Sequence, residues 1–218
     1  MSRAPSSGPQ PTSDAYFAEM WGRADDPWDH GSRWYEKRKY GLTVAALPRP
    51  RYRRAFEPGC GAGFLTAALA SRTDHLLAME RSPRGVSVTR RRCAAMPGVD
   101  VRRGRIPHDW PADTFDLIVL SEVLYYLDDD GLALSLRRAG ESLEPDGHLI
   151  AVHYRPPVEE HARLGDDVHG ALRAALGEPM ATYQDAEFVL DVFSSPRPVG
   201  GSTPSSPSLS QPPADRPT

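Results

Sequence analysis

With 218 residues, 39% of them apolar, the chain can bury one substantial core and has the size of a single catalytic domain. A formal net charge of −3 disfavours nucleic acid as the main partner, and two cysteines, Cys60 and Cys93, offer neither a disulfide framework nor a metal site. No apolar run approaches bilayer-spanning length, so the expected compartment is the cytoplasm and no membrane or obligate protein partner is expected.

The first residues, 1–14, are rich in Pro and Ser, lack the apolar run of a signal peptide, and are expected to be a disordered tail. Residues 15–193 form the expected folded domain, with 15–50 as a helical lid. Within that lid Asp25 to Tyr40 is acidic and aromatic, its first half reading as a loop and its second as a helix. Its aromatics fit packing against a sheet or closure over a site that must exclude water.

Arg54 to Phe56 reads as a short strand, followed by Glu57-Pro58-Gly59-Cys60-Gly61-Ala62-Gly63 and a helix through Ala70. Glycines at alternate positions let the backbone turn through positive φ and approach a ligand. A dinucleotide fingerprint spaces them G-x-G-x-x-G and aims the helix at a pyrophosphate. The G-x-G-x-G spacing here, with Glu57 two residues ahead, leaves no such cradle and fits a cofactor with a ribose and a cation, S-adenosylmethionine. His75 to Met79 is a second strand that stops at Glu80, about 20 residues beyond the loop, where an acid accepts hydrogen bonds from ribose hydroxyls. Ser82-Pro83 then opens a helix. The arginines from Arg84 to Arg105 read as a solvated helix face, since no aromatics interleave them to stack bases.

Val99 to Arg103, Phe115 to Leu120 and His148 to Tyr154 continue as strands, with a helix from Asp128 to Leu143 between the last two and a turn at Pro145-Asp146-Gly147. A helix is expected over Glu159 to Leu176, then a final antiparallel strand over Glu187 to Phe193. Strand and helix alternate as in a doubly wound α/β sheet. Residues 194–218 hold seven prolines and seven serines and are expected to be a disordered tail.

These motifs resemble the class I S-adenosylmethionine-dependent methyltransferases, and within them the nodulation protein S group, over about Asp26 to Phe193. The resemblance rests on Asp26-Pro27-Trp28, on Trp34 to Tyr40, on Glu57 to Thr66, on Trp110-Pro111, on Phe115 to Leu127 and on Gly165 to His169. Ser121-Glu122-Val123-Leu124-Tyr125-Tyr126-Leu127 is its most discriminating run. It implies a mostly parallel, seven-stranded, Rossmann-like sheet with helices on both faces and an antiparallel C-terminal strand. It also implies N-methylation of the free amine of a deacetylated chitooligosaccharide or related amino sugar. Gly59, Cys60, Gly61, Gly63, Glu57, Glu80 and Ser121 become the expected cofactor residues, with Tyr35 and Arg38 as partners of the methionine carboxylate. Gly104-Arg105-Ile106 replaces the acid that often meets adenine, so recognition there is assigned to the backbone of Arg105 and Ile106. Asp29-His30-Gly31 departs from the group's usual Tyr-Glu.

An amine acceptor reaches the site as an ammonium without a lone pair, so a carboxylate or histidine should bind the cation, accept its proton, or both. Glu122, directly after the fourth strand, is the first candidate and His153, near the end of the fifth, the second. Tyr125, Tyr126, Trp34, Asp167 and His169 are the candidate acceptor-binding residues. Two other functions share the strand, loop and helix plan: an NAD-dependent oxidoreductase, which the glycine spacing disfavours, and a non-catalytic methyltransferase-like partner protein.

Overall fold

The computed structural model describes residues 8–195. Residues 1–7 and 196–218, on which most of the two expected tails fall, lie outside the described residues. The chain runs α1 (Asp14–Arg23), α2 (Trp34–Ala45), β1 (Tyr52–Pro58), α3 (Phe64–Ala70), β2 (Thr73–Glu80), α4 (Pro83–Arg92), β3 (Val99–Arg103), β4 (Phe115–Ser121), α5 (Asp129–Ser142), β5 (Leu143–Tyr154), α6 (Gly165–Leu176), β6 (Ala181–Gln184) and β7 (Phe188–Ser194). The strands form one sheet in the order β3-β2-β1-β4-β5-β7-β6. β1 to β5 are mutually parallel, and β7 is antiparallel to both β5 and β6.

Every residue of β4 is buried because helices cover both sheet faces, which is why its centre, Leu117 to Leu120, is a continuous apolar run. Ile118 and Leu120 point to one face, where they meet Leu136 of α5 and Leu172 of α6. Leu117 and Val119 point to the other, with Leu65 and Leu69 of α3. Each such side chain contributes about 1.5–3 kcal/mol by leaving water. Ser82 caps α4 through Gly85 N–H and Asp128 caps α5 through Gly131 N–H, as their sequence positions predict.

After β1 the chain moves to one side of the sheet for β2 and β3, then crosses to the other side for β4 and β5. The reversal opens a crevice at the carboxyl ends of β1 and β4, where open α/β sheets bind ligands. Both the glycine loop and Glu122 lie there.

Several boundaries differ from expectation. α6 begins at Gly165, because Pro156-Pro157 ends the preceding strand and residues 155–164 form a loop that packs on Tyr125 through Ala162 N–H to Tyr125 O (2.9 Å). β5 starts at Leu143 and carries the predicted turn as an irregularity, with Asp146 at φ 61°, before His148 resumes pairing with Leu117. β6 escaped notice because all four of its residues are exposed and show no burial pattern. Residues 8–13, assigned to a disordered tail, are ordered: Thr12 N–H donates to Tyr126 O (3.0 Å) and Ser13 caps α1. Ser194 likewise pairs with His148. No helix among the described residues is long and apolar enough to cross a membrane.

Candidate active site

The loop after β1 has Gly59, Gly61 and Gly63 at φ 71°, 55° and 80°, a left-handed conformation that L side chains resist. Space adds a second constraint at Gly63, where a Cβ would sit 2.7 Å from Thr89 Cγ2. Glu80 then fastens the loop: its Oε2 accepts from Gly61 N–H (3.2 Å) and its Oε1 from Ser82 N–H (2.8 Å). Burial nevertheless pushes Glu80 up to about 7, the two amide donors opposing. Glu57 is buried as well, and one of its carboxylate oxygens has no hydrogen-bond partner among the described residues. Burial pushes it up to about 8. Glu80, an acid at a strand end that lines the cavity beside the glycine loop, suits a cofactor with a ribose.

A cavity of about 660 Å³ opens over this loop. Its cofactor end is formed by Gly59, Gly61, Glu80, Gly104, Arg105 and Ile106. The opposite wall comes from Tyr125, Tyr126, Tyr154 and His161, and the roof from α1 and the start of α2. Asp14 at the start of α1 pairs with both Arg81 and Arg105, so α1 bridges the cofactor end. Phe17 packs edge-on against Tyr126 at 5.0 Å.

Glu122 sits between the two ends. It is a non-glycine residue at φ 55°, a conformation costing about 1–2 kcal/mol, which its contacts offset. Oε1 accepts from Lys39 Nζ (2.7 Å) and Tyr35 Oη (3.1 Å), and Oε2 from Tyr154 N–H (3.1 Å) and the Tyr125 hydroxyl. Burial opposes its charge, but Lys39 and these donors overcome that and hold it at about 2. Lys39, 1% exposed, also pairs with Glu36 at 2.8 Å. Glu122 is therefore a permanent anion whose lone pairs are already engaged.

His153 is fully buried behind this wall. Its Nε2 accepts from Leu124 N–H (3.3 Å), which leaves the ring proton on Nδ1 facing His169 Nε2 (3.2 Å); His169 Nδ1 then faces Asp191 (2.8 Å). Burial drives His153 well below its ordinary value, with His169 adding to the effect. His153 and His169 thus support the Leu124 to Tyr126 turn from behind and do not line the cavity, contrary to their expected roles in catalysis and acceptor binding.

Other expected residues also fall elsewhere. Arg38 turns away from the cavity to Asp185 (2.7 Å) and stacks over Phe188, so it is not placed for a methionine carboxylate. Trp34 is 74% exposed outside the cavity, and Asp167 caps α6 at Leu164 N–H. Cys60 and Ser121 are buried beneath the loop and at the end of β4, shaping the floor without lining it. Tyr35 does line the cavity, but its hydroxyl is committed to Glu122.

Sequence reasoning missed Arg33, Lys39, Glu36, His30 and His161. Glu36 and Lys39 carried a signal, since charges three apart share a helix face. His161 carried none, lying inside a stretch read as helix.

A family model for nodulation protein S (NodS) matches residues 18–191. The chain is 30% identical over 129 residues to nodulation protein S of Rhizobium tropici, a match covering 58% of this chain and 54% of that protein, so it spans about half of that relative's length. A candidate methyltransferase from Pseudomonas syringae is 44% identical in sequence and superposes with a TM-score of 0.67, over 74% of this chain and 99% of that one. The N-methyltransferase NodS of Bradyrhizobium japonicum WM9, crystallised with S-adenosyl-L-homocysteine, superposes with a TM-score of 0.76 at 25% identity, over 84% of this chain and 98% of that one.

Proposed function

We propose, from the premise that this chain belongs to the nodulation protein S family of S-adenosylmethionine-dependent methyltransferases, that it N-methylates the amine of a small acceptor such as a deacetylated amino sugar or chitooligosaccharide. The observation that carries the reading is Glu122: a permanent carboxylate in an aromatic wall, facing the cavity beside the cofactor loop. A hydroxyl acceptor needs no such anion, whereas an ammonium does. The aromatic faces of Tyr125 and Tyr126 suit both a sugar ring and a cation. Cytoplasmic location agrees with two unpaired, buried cysteines.

S-Adenosylmethionine supplies an electrophilic methyl group on a sulfonium. Gly59 and Gly61 let the backbone approach it, Glu80 receives the ribose hydroxyls, and Arg105 and Ile106 frame the adenine end. Glu57, kept neutral by burial up to about 8, lies beneath the loop. Arg33, which lines the cavity, takes the carboxylate role expected of Arg38. Glu122 fixes Tyr125 and Tyr35 in the wall, and because its oxygens are already engaged its charge acts on the acceptor only at a distance. At about 2 it is too weak a base to deprotonate an ammonium, so its contribution is binding and orientation.

The test is a panel of amine and hydroxyl acceptors with detection of S-adenosylhomocysteine. Amine-dependent product is expected; product formed only with hydroxyl acceptors overturns the reading.

A further inference from the structure

Methylating an ammonium requires a proton acceptor, and the other acids of the cavity are committed. Glu122 is saturated with donors, Glu36 is paired with Lys39, Asp14 with Arg81 and Arg105, Asp128 caps α5 at Gly131 N–H, and Glu80 holds two amides at the cofactor end. His161 differs from all of them. It lies on the acceptor side, half-buried, its ring stacked on Tyr125 at 3.7 Å and 16° and edge-on to Tyr126 at 5.0 Å. Its imidazole lines the cavity and makes no hydrogen bond to the described residues. An imidazole without a hydrogen-bond partner among the described residues and an anion, Glu122, thus meet at the same tyrosine.

We propose that His161 is the residue that deprotonates the bound acceptor, an inference that rests on the amine reading above. An N–H bond of the ammonium breaks and its electron pair stays on nitrogen as the lone pair that attacks the methyl carbon, while the carbon–sulfur bond breaks and its pair goes to sulfur. The proton moves to a ring nitrogen of His161 and leaves to water. The imidazolium formed is stabilised by Glu122.

Burial lowers the pKa of His161, with Glu122 and Glu160 opposing, so the ring is neutral and able to accept at neutral pH. The groups around it are Tyr125, Tyr126 and Glu122 from the end of β4 and its following turn, Glu160 from its own loop, and His153 from β5. Of the other cavity histidines, His30 stacks on Trp28 at 5.6 Å in the roof, and His108 lies at the cofactor end. Neither shares the tyrosine wall.

Two variants separate chemistry from packing: His161→Gln, and His161→Phe, which keeps the stack on Tyr125. Both are expected to lower kcat at neutral pH by about 100-fold or more. The acid limb of the kcat profile should move to higher pH, toward the pKa of the bound amine, because only free amine then reacts. A readout independent of turnover is calorimetry of amine binding to the S-adenosylhomocysteine complex in buffers of different ionisation enthalpy. Wild type should show a proton exchange that both variants lose. If wild type methylates amines and His161→Phe keeps rate, profile and proton exchange, the assignment of His161 is overturned while the amine reading stands. If wild type methylates hydroxyls and no amine, both fall together.

Discussion

At the scale of single residues, the site is governed by acids that burial treats in opposite ways. Glu122 has Lys39 and stays charged at about 2; Glu57 has no such partner and rises to about 8. Replacing Glu122 by Gln should therefore lower turnover by about 100-fold while S-adenosylhomocysteine affinity changes less than about threefold. Equal losses in both would assign it to the cofactor. Lys39→Met leaves two buried carboxylates unpaired, a change expected to cost about 3–5 kcal/mol in urea unfolding. Glu57 has a pH signature. In the folded state its carboxyl stays protonated up to about 8, against an ordinary 4.5, so it contributes stability at low pH that is lost as pH rises through that window. Melting temperatures across pH 5 to 9 should fall more steeply for wild type without cofactor than for Glu57→Gln. Gly61→Asp would add a strained Cβ 3.6 Å from His30 and an acid beside Glu80. Cofactor binding by calorimetry should vanish while the chain stays folded.

Among the elements, the turn at Leu124 to Tyr126 forms the cavity wall opposite the glycine loop, and a buried chain from Asp191 through His169 and His153 holds it. His153→Leu strands the Leu124 amide, at about 1–3 kcal/mol in chemical denaturation, with cofactor affinity unchanged. How much of this was legible follows from what each element buries. β4, apolar on both faces, and the glycine loop announced themselves, and with them the crevice, Glu80 and Glu122. The late elements did not: residues 158–164 have apolar and polar residues in helical proportion although they follow two prolines, so His161 fell inside the helix expected over Glu159 to Leu176 instead of in a loop lining the cavity. His153 was visible as a histidine at a strand end, but its partners on α6 and β7 are 16 and 38 residues away in sequence, and nothing local marks that pairing. Arg33 and Arg38 flank α2's first turns; only the helix's rotation decides which guanidinium faces the cavity.

For the whole molecule, the cavity is shared between the loop at the sheet's carboxyl edge and peripheral segments that form its opposite wall. Ligand binding should stabilise the two as one unit. S-Adenosylhomocysteine at 100 times its dissociation constant should add about 2.7 kcal/mol and raise the melting temperature by a few degrees. NAD should produce no shift, and a shift of equal size with NAD would reopen the oxidoreductase reading.

The segment before and through α1 has a kinetic consequence. It is tied at the start of α1, to Tyr126 through the Thr12 amide on one side of the cavity and to Arg81 and Arg105 through Asp14 on the other. Both ends of the cavity lie against the same strap, so its opening is a single event. Where that opening is slower than methyl transfer, the first turnover is faster than later ones. Rapid-quench measurements should show a burst of product, and Asp14→Ala should raise the steady-state rate while leaving the burst rate constant unchanged.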